Sequence, residues 1–173
     1  MIIRTATLVD AYQLAELKRD TFRETFLSDG YGIDYSPSDL ARYESENYSP
    51  ETVMDQLRDH RNRTWVVESD DGALAGYAQV GPCKLPHPEV TEGSAEIYQI
   101  YIRRSAQGTG VGRALFGAAL EYLALERPGP VWLGVWSGNT RAIAFYEKAG
   151  FRRVGTYDFK VGEAIDLEFI YCR

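Results

Sequence analysis

The stretch EIYQIYIRRSAQGTGVGRALF, Glu96 to Phe116, decides the fold. Its opening, part of AEIYQIYI from Ala95 to Ile102, reads as a β-strand with residues alternating between two faces. Gly108, Gly110 and Gly112 follow at once, where the strand hands over to a helical run from Gly110 to Glu126 that carries apolar Leu115, Phe116, Ala119, Leu120 and Leu123. A strand, a glycine-rich turn and a helix N-terminus in this order form an anion site. Glycines let a bound group approach the backbone, the first N–H groups of the helix have no internal partner, and the helix dipole favours negative charge there. Arg103, Arg104 and Arg113 supply cationic side chains on either side of the loop, so a diphosphate would be held well. A glycine-rich connector with no ligand is the plain alternative. Two other phosphate loops do not fit: Gly112 is followed by Arg113-Ala114 and not by the Lys-Ser/Thr of a P-loop, and the spacing is G-x-G-x-G, not the G-x-G-x-x-G of a dinucleotide fingerprint.

Outward from this stretch the periodicity places the other elements. Downstream, Arg127-Pro128-Gly129-Pro130 stops the helix, and VWLGVW from Val131 to Trp136 is a buried strand. Asn139 then opens a helix, TRAIAFYEKAG, that ends at Gly150. Arg152 to Phe159 and Ala164 to Tyr171, joined near Gly162, predict a closing hairpin. Upstream, TWVVES and ALAGYAQV flank Asp70-Asp71-Gly72 and should pair antiparallel, with a loop over Gly81 to Gly93. Nearer the N-terminus, Ile2 to Ala6 is extended, Thr7 to Asp10 supplies cap residues, and Ala11 to Phe26 is a helix whose Leu14, Leu17, Phe22 and Phe26 should pack on a sheet. Ser28 to Pro50 reads as an irregular, turn-rich segment, and Glu51 to about Asp59 as a further helix. The pattern is an α/β (α+β) domain, not a bundle or an all-β sandwich.

Composition bounds the function. With 173 residues and 45% apolar content the chain is expected to form one domain, 1–173, around a continuous core. A net charge of −6, with no isolated Lys/Arg cluster, speaks against a nucleic-acid partner. Cys83 and Cys172, far apart in sequence, are expected to be reduced thiols, and with His60 and His87 they show no zinc-ligand spacing, so no metal is expected. The opening MIIRTATLVD lacks a signal-peptide pattern, and no run approaches the roughly 20 apolar residues of a membrane span. A cytoplasmic protein without membrane contact is expected.

Two motifs in the right order resemble the GNAT family of N-acetyltransferases. Gln107-Gly108-Thr109-Gly110-Val111-Gly112 resembles its Q/R-x-x-G-x-G/A signature, with Gln107, Gly110 and Gly112 at the defining positions. Asn139 to Phe151, NTRAIAFYEKAGF, is similar to the family's N-x-x-A-x-x-F-Y-x-K-x-G-F pattern after the fifth strand. The resemblance covers almost the whole chain and is weakest from Ser28 to His60. It implies the GNAT fold: a mixed, mostly antiparallel twisted sheet of about seven strands flanked by about four helices, splayed between strands 4 and 5. More narrowly, WLGVW at 132–136, the helix after it and Asp166-Leu167 look similar to bacterial spermidine/spermine N-acetyltransferases.

The resemblance further implies acetyl-coenzyme A as cosubstrate in the cleft between Glu96 to Ile102 and Val131 to Trp136. Backbone groups of Ile100, Tyr101 and Ile102 would bond the pantetheine arm, Gln107 to Arg113 (Gln107, Gly108, Thr109, Gly110, Val111, Gly112 and Arg113) the pyrophosphate, Asn139 the pantetheine, and Lys148 the ribose phosphate. Glu96 matches the family's general base, acting directly or through water, with Glu92 and Tyr98 as weaker substitutes. Tyr146 matches its general acid. The acceptor is expected to be a small primary amine, a polyamine first, held by the acids and tyrosines between Asp29 and Glu46. The alternatives are a non-catalytic coenzyme A sensor, against which Tyr146 and Glu96 both argue, and a protein N-terminal acetyltransferase. A homodimer is compatible with the aromatic content.

Overall fold

The computed structural model describes residues 1–173. The strands are β1 (Ile2–Thr5), β2 (Arg63–Glu68), β3 (Leu74–Pro82), β4 (Ala95–Ile102), β5 (Val131–Trp136), β6 (Arg152–Val161) and β7 (Ala164–Cys172). The helices are α1 (Ala11–Phe26), α2 (Pro37–Tyr48), α3 (Pro50–Arg58), α4 (Val111–Glu126) and α5 (Thr140–Lys148). All seven strands join one sheet in the order β1-β2-β3-β4-β5-β7-β6. Every neighbouring pair is antiparallel except β4 and β5, which run parallel and meet only at Ala95 with Val131 and at Glu96 with Trp132. Beyond Glu96 the two strands diverge. The sheet is therefore mixed, mostly antiparallel and splayed between strands 4 and 5, as expected.

Local chemistry explains the helix starts. Asp10 accepts from the Thr7 N–H at 2.7 Å and takes both Arg4 guanidinium nitrogens, at 2.7 and 2.9 Å, which ties the start of α1 to β1. Arg4 and the Thr7 N–H hold the Asp10 carboxyl down at about 2 against its partial burial. Ser36 and Ser49 cap α2 and α3 by accepting from Asp39 N–H and Thr52 N–H, each with proline at the first helical position.

The helix α2 corrects the irregular reading of Ser28 to Pro50. Its start signal, Ser36-Pro37, was present in the sequence. Its buried side chains are Tyr43 and Tyr48, with Leu40 half-buried beside them, so the apolar stripe is mostly tyrosine and short of the aliphatic residues that mark an amphipathic helix. These tyrosines, with Phe22, Phe26 and Tyr35, form a separate aromatic cluster against β6.

The two sheet faces are packed differently. On one, α4 and α5 cover Val67, Ala78, Val80, Ile97, Leu133 and Val135 with Leu115, Phe116, Ala119 and Leu123. On the other, α1 and α3 lay Leu14, Leu17 and Val53 on Val66, Leu74 and Tyr77. No helix is long and apolar enough to cross a membrane.

Candidate active site

The divergence of β4 from β5 leaves one edge of β4 without a partner strand. Arg103 N–H bonds the Ala75 carbonyl, and the register pairs Tyr101 with Tyr77 and Ile100 with Ala78. By antiparallel alternation the backbone groups of Tyr101 face β3, whereas those of Ile100 and Ile102 face the open edge. Of the three residues expected at the pantetheine arm, Ile100 and Ile102 thus turn their backbone groups to the open edge, free except for the Ile102 carbonyl, and Tyr101 contributes only its side chain. Gln107 holds the Ile102 carbonyl through its amide N–H at 3.0 Å. A bulge in β4 at Tyr98, between the pairs Gln79–Gln99 and Val80–Ile97, turns both Tyr98 and Gln99 to the cavity.

At the end of β4 the chain turns through Gly108 and Gly110 in the left-handed region, with φ of 82° and 88°. The N–H groups of Gly108, Thr109 and Gly110 donate to no backbone carbonyl, and a Cβ on either glycine would meet open space. These donors, at the N-terminus of the sixteen-residue α4, fit an anionic group. The cations around them are only in part those read from the sequence. Arg103 pairs with Asp20 at 2.9 Å, and Arg104 bonds the Glu24 and Asp29 carbonyls, so both fasten β4 to α1. Arg113 and Lys148 stay exposed, and Arg141 of α5, which sequence reading missed, reaches Gln107 at 2.7 Å.

A cavity of about 380 Å³ passes through the splay. Tyr146 and Asn139 line it from the α5 side, Glu96 from β4, Asp166 and Glu168 from β7, and Tyr35, Tyr43 and Tyr48 from the segment over α1. Tyr146 packs among Phe116, Phe145 and Phe151, its hydroxyl has no hydrogen-bond partner, and burial raises the phenol to about 12. Asn139 caps α5 by accepting from Ala142 N–H at 3.1 Å and also accepts from the Tyr31 hydroxyl at 2.8 Å, which leaves its amide N–H₂ free.

Three carboxylates line this cavity without forming a metal-ligand cluster. Glu96 is 8% exposed and accepts from Lys84 N–H at 2.7 Å; burial raises its pKa against that bond. Glu168 is raised to about 7, chiefly by burial and further by Asp166 and Glu96, while the Tyr157 hydroxyl bonded to it acts in the opposite sense. Asp166 accepts from Tyr35. The acids expected to hold the acceptor lie elsewhere: Glu44 pairs with Arg23, Glu46 with Arg42, and Asp39 with Ser36 and the Glu163 N–H. The Asp29–Glu46 segment gives the cavity Tyr35 and Tyr43, and β4 and β7 give it its carboxylates.

Gly134 makes room for this arrangement. A Cβ there would sit 2.5 Å from the Tyr157 hydroxyl and 2.8 Å from a Glu168 oxygen. Gly134→Val, a favourable change for a strand, is expected to displace this pair, to lower kcat, and to raise the KM of the substrate that occupies this part of the cavity roughly tenfold. Steady-state kinetics with each substrate varied in turn checks this.

The profile of the Acetyltransferase (GNAT) family matches residues 13–151. The chain is 29% identical over 161 residues to an uncharacterized N-acetyltransferase in the pepI 3' region of Lactobacillus delbrueckii subsp. lactis, covering 93% of this chain and 90% of that one. It is 29% identical over 138 residues to the uncharacterized N-acetyltransferase Rv2669 of Mycobacterium tuberculosis, covering 80% and 83%. Among solved structures, the PaiA N-acetyltransferase of Thermoplasma acidophilum in complex with coenzyme A aligns with a TM-score of 0.75 at 20% identity, over 99% of this chain and 97% of that one. The ribosomal-protein-alanine N-acetyltransferase of Brucella melitensis aligns with a TM-score of 0.67 at 25% identity, over 100% and 99%.

Proposed function

The chain belongs to the acetyltransferase (GNAT) family, and from that premise we propose that it transfers an acetyl group from acetyl-coenzyme A directly to the primary amine of a small cationic acceptor. The observation that carries this reading is the splay itself: where β4 leaves β5, a cavity lined by the open edge of β4 at Ile100 holds three carboxylates, and the chain runs on from that edge into a row of unpaired N–H groups before α4. Acetyl-coenzyme A supplies the activated carbonyl. Gly108 to Gly112 and Arg113 hold its pyrophosphate, the open edge at Ile100 and Ile102 and the free Asn139 amide hold the pantetheine, and Arg141 and Lys148 add cationic charge beside it. An N–H on that edge also faces the developing oxyanion.

The acceptor amine enters as a cation among Glu96, Asp166, Glu168 and the surrounding aromatic faces. It must lose a proton before its nitrogen can form the new C–N bond, and that proton goes to the carboxylates. Glu168, raised towards neutrality, is the better-poised acceptor, and Glu96 stands beside it. As the C–S bond breaks, Tyr146 donates a hydrogen bond to the departing thiolate. Spermidine and spermine belong to this class of acceptor, and the three carboxylates would receive their ammonium groups.

The test is thiol release from acetyl-coenzyme A across a panel of polyamines, amino acids, aminoglycosides and peptide N-termini. Saturable turnover with a small amine supports the reading. Coenzyme A binding with no turnover would replace it with a sensor, and turnover of peptide N-termini alone with a protein N-terminal acetyltransferase. The loop has its own check. Gly110→Glu puts a side chain at φ 88°, a strain of roughly 1–2 kcal/mol, and adds a negative charge at the anion site. Calorimetry is expected to show coenzyme A binding weakened at least tenfold, and unchanged affinity would remove the loop from the cofactor site.

A further inference from the structure

A positive pole lies behind the glutamines that line another part of the same cavity. Lys18 of α1 is 1% exposed, and its ammonium donates to three glutamine oxygens: Gln56 at 2.9 Å, Gln79 at 3.0 Å and Gln99 at 2.9 Å. The Tyr77 ring lies 5.1 Å away, and the Tyr77 hydroxyl also donates to the Gln99 oxygen. Three amide oxygens satisfy the three ammonium protons, but amide dipoles are not a counter-charge. No carboxylate is paired with Lys18, and burial alone pushes its pKa down to about 7. A buried charge without an opposite partner is costly and calls for an explanation.

The orientation of the glutamines supplies one. Because their oxygens face Lys18, the N–H₂ groups must point away from it, and those of Gln56 and Gln99 have no hydrogen-bond partner. Neither nitrogen is among the buried unsatisfied atoms, and both residues line the cavity. The cavity wall therefore presents free N–H donors backed by a cation, and Gln99 stands three residues along β4 from Glu96. This is the arrangement that receives an anionic oxygen.

We propose that the acceptor amine carries a carboxylate, which docks on the amide N–H groups of Gln56 and Gln99 and supplies the counter-charge that Lys18 lacks. The inference rests on the acetyltransferase reading and narrows its acceptor. The amine end faces Glu96, Asp166 and Glu168 and the carboxylate faces the glutamines, so the acceptor is zwitterionic and of amino-acid type. An unsubstituted polyamine leaves the glutamine donors unused and brings further positive charge towards Lys18.

Matched pairs of amines that differ by one carboxylate test this: lysine against cadaverine, and ornithine against putrescine. The expected result is a kcat/KM at least tenfold higher for the carboxylated member of each pair. In Gln99→Leu, which keeps the side chain's size and leaves Lys18 two glutamine partners, that advantage should collapse towards one. Equal or inverted ratios in the wild type overturn the proposal, as does a ratio that survives Gln99→Leu. The ranking is also read without chemistry, by calorimetry on the coenzyme A-loaded enzyme, where lysine must bind more tightly than cadaverine. No transfer to any amine would overturn the acetyltransferase reading, and this binding order would still decide the docking proposal; failure of both carboxylated amines to bind overturns it.

Discussion

Tyr146→Phe is expected to lower kcat by on the order of a hundredfold while leaving coenzyme A affinity and folding stability unchanged. The ring is held by Phe116, Phe145 and Phe151, and the oxygen removed bonds to nothing in the protein, so the variant deletes a donor without opening a cavity or orphaning a partner. What it loses is the hydrogen bond to the leaving sulfur. Burial raises the phenol to about 12, above an ordinary thiol near 8.5, so complete proton transfer from Tyr146 to a thiolate runs uphill. On the proposed mechanism the phenol is therefore a fixed donor to the charge that develops on sulfur, and no alkaline fall in rate from Tyr146 is expected below about pH 11. Steady-state kinetics with calorimetric titration of coenzyme A checks this. An unchanged kcat would leave Tyr146 as a packing residue of α5.

The elements around Tyr146 were legible because each obeys a local rule. The strand from Ala95 to Ile102 and that from Val131 to Trp136 match the observed β4 and β5 to the residue, and the helix from Ala11 to Phe26 matches α1. Alternation, caps and prolines act within a few residues of one another, so the sequence displays them directly. The acceptor side was legible only in part. Tyrosines between Asp29 and Glu46 do reach the cavity, but their neighbouring acids are drawn off: Glu44 by Arg23, which lies near it only in the fold, and Glu46 and Asp39 by Arg42 and the α2 cap, partners set once Pro37–Tyr48 is helical. Glu168 was hidden for the same reason: nothing near it in sequence announces that β7 lies beside β5 and that Gly134 opens the space in front of it. Nothing in the sequence marks Lys18 among the most buried residues in the chain. Its three partners come from α3, β3 and β4, positions 56, 79 and 99, a convergence that only the tertiary structure creates.

That convergence of β4 and β7 carboxylates sets the second large effect, on the pH dependence of kcat. Glu168 has its pKa raised to about 7, first by burial, and accepts a proton only when ionised, so kcat should rise through about pH 7 as the carboxyl deprotonates. Glu168→Gln should remove that acidic limb and lower the plateau on the order of a hundredfold. Neighbouring substitutions should move the limb in opposite directions. Glu96 and Asp166 raise the Glu168 pKa, so Glu96→Gln should shift the limb to lower pH; Tyr157 lowers it by donating a hydrogen bond, so Tyr157→Phe should shift the limb to higher pH and reduce the rate at pH 7. Profiles of kcat against pH with the amine saturating separate these cases, because saturation removes the amine's own titration from the binding step. The two carboxylates interact, and the limb belongs to the pair until one is removed. If it persists in Glu168→Gln and vanishes in Glu96→Gln, the proton goes to the β4 carboxylate that the family resemblance singled out, and Glu168 acts by raising the proton affinity of Glu96 and holding the cation.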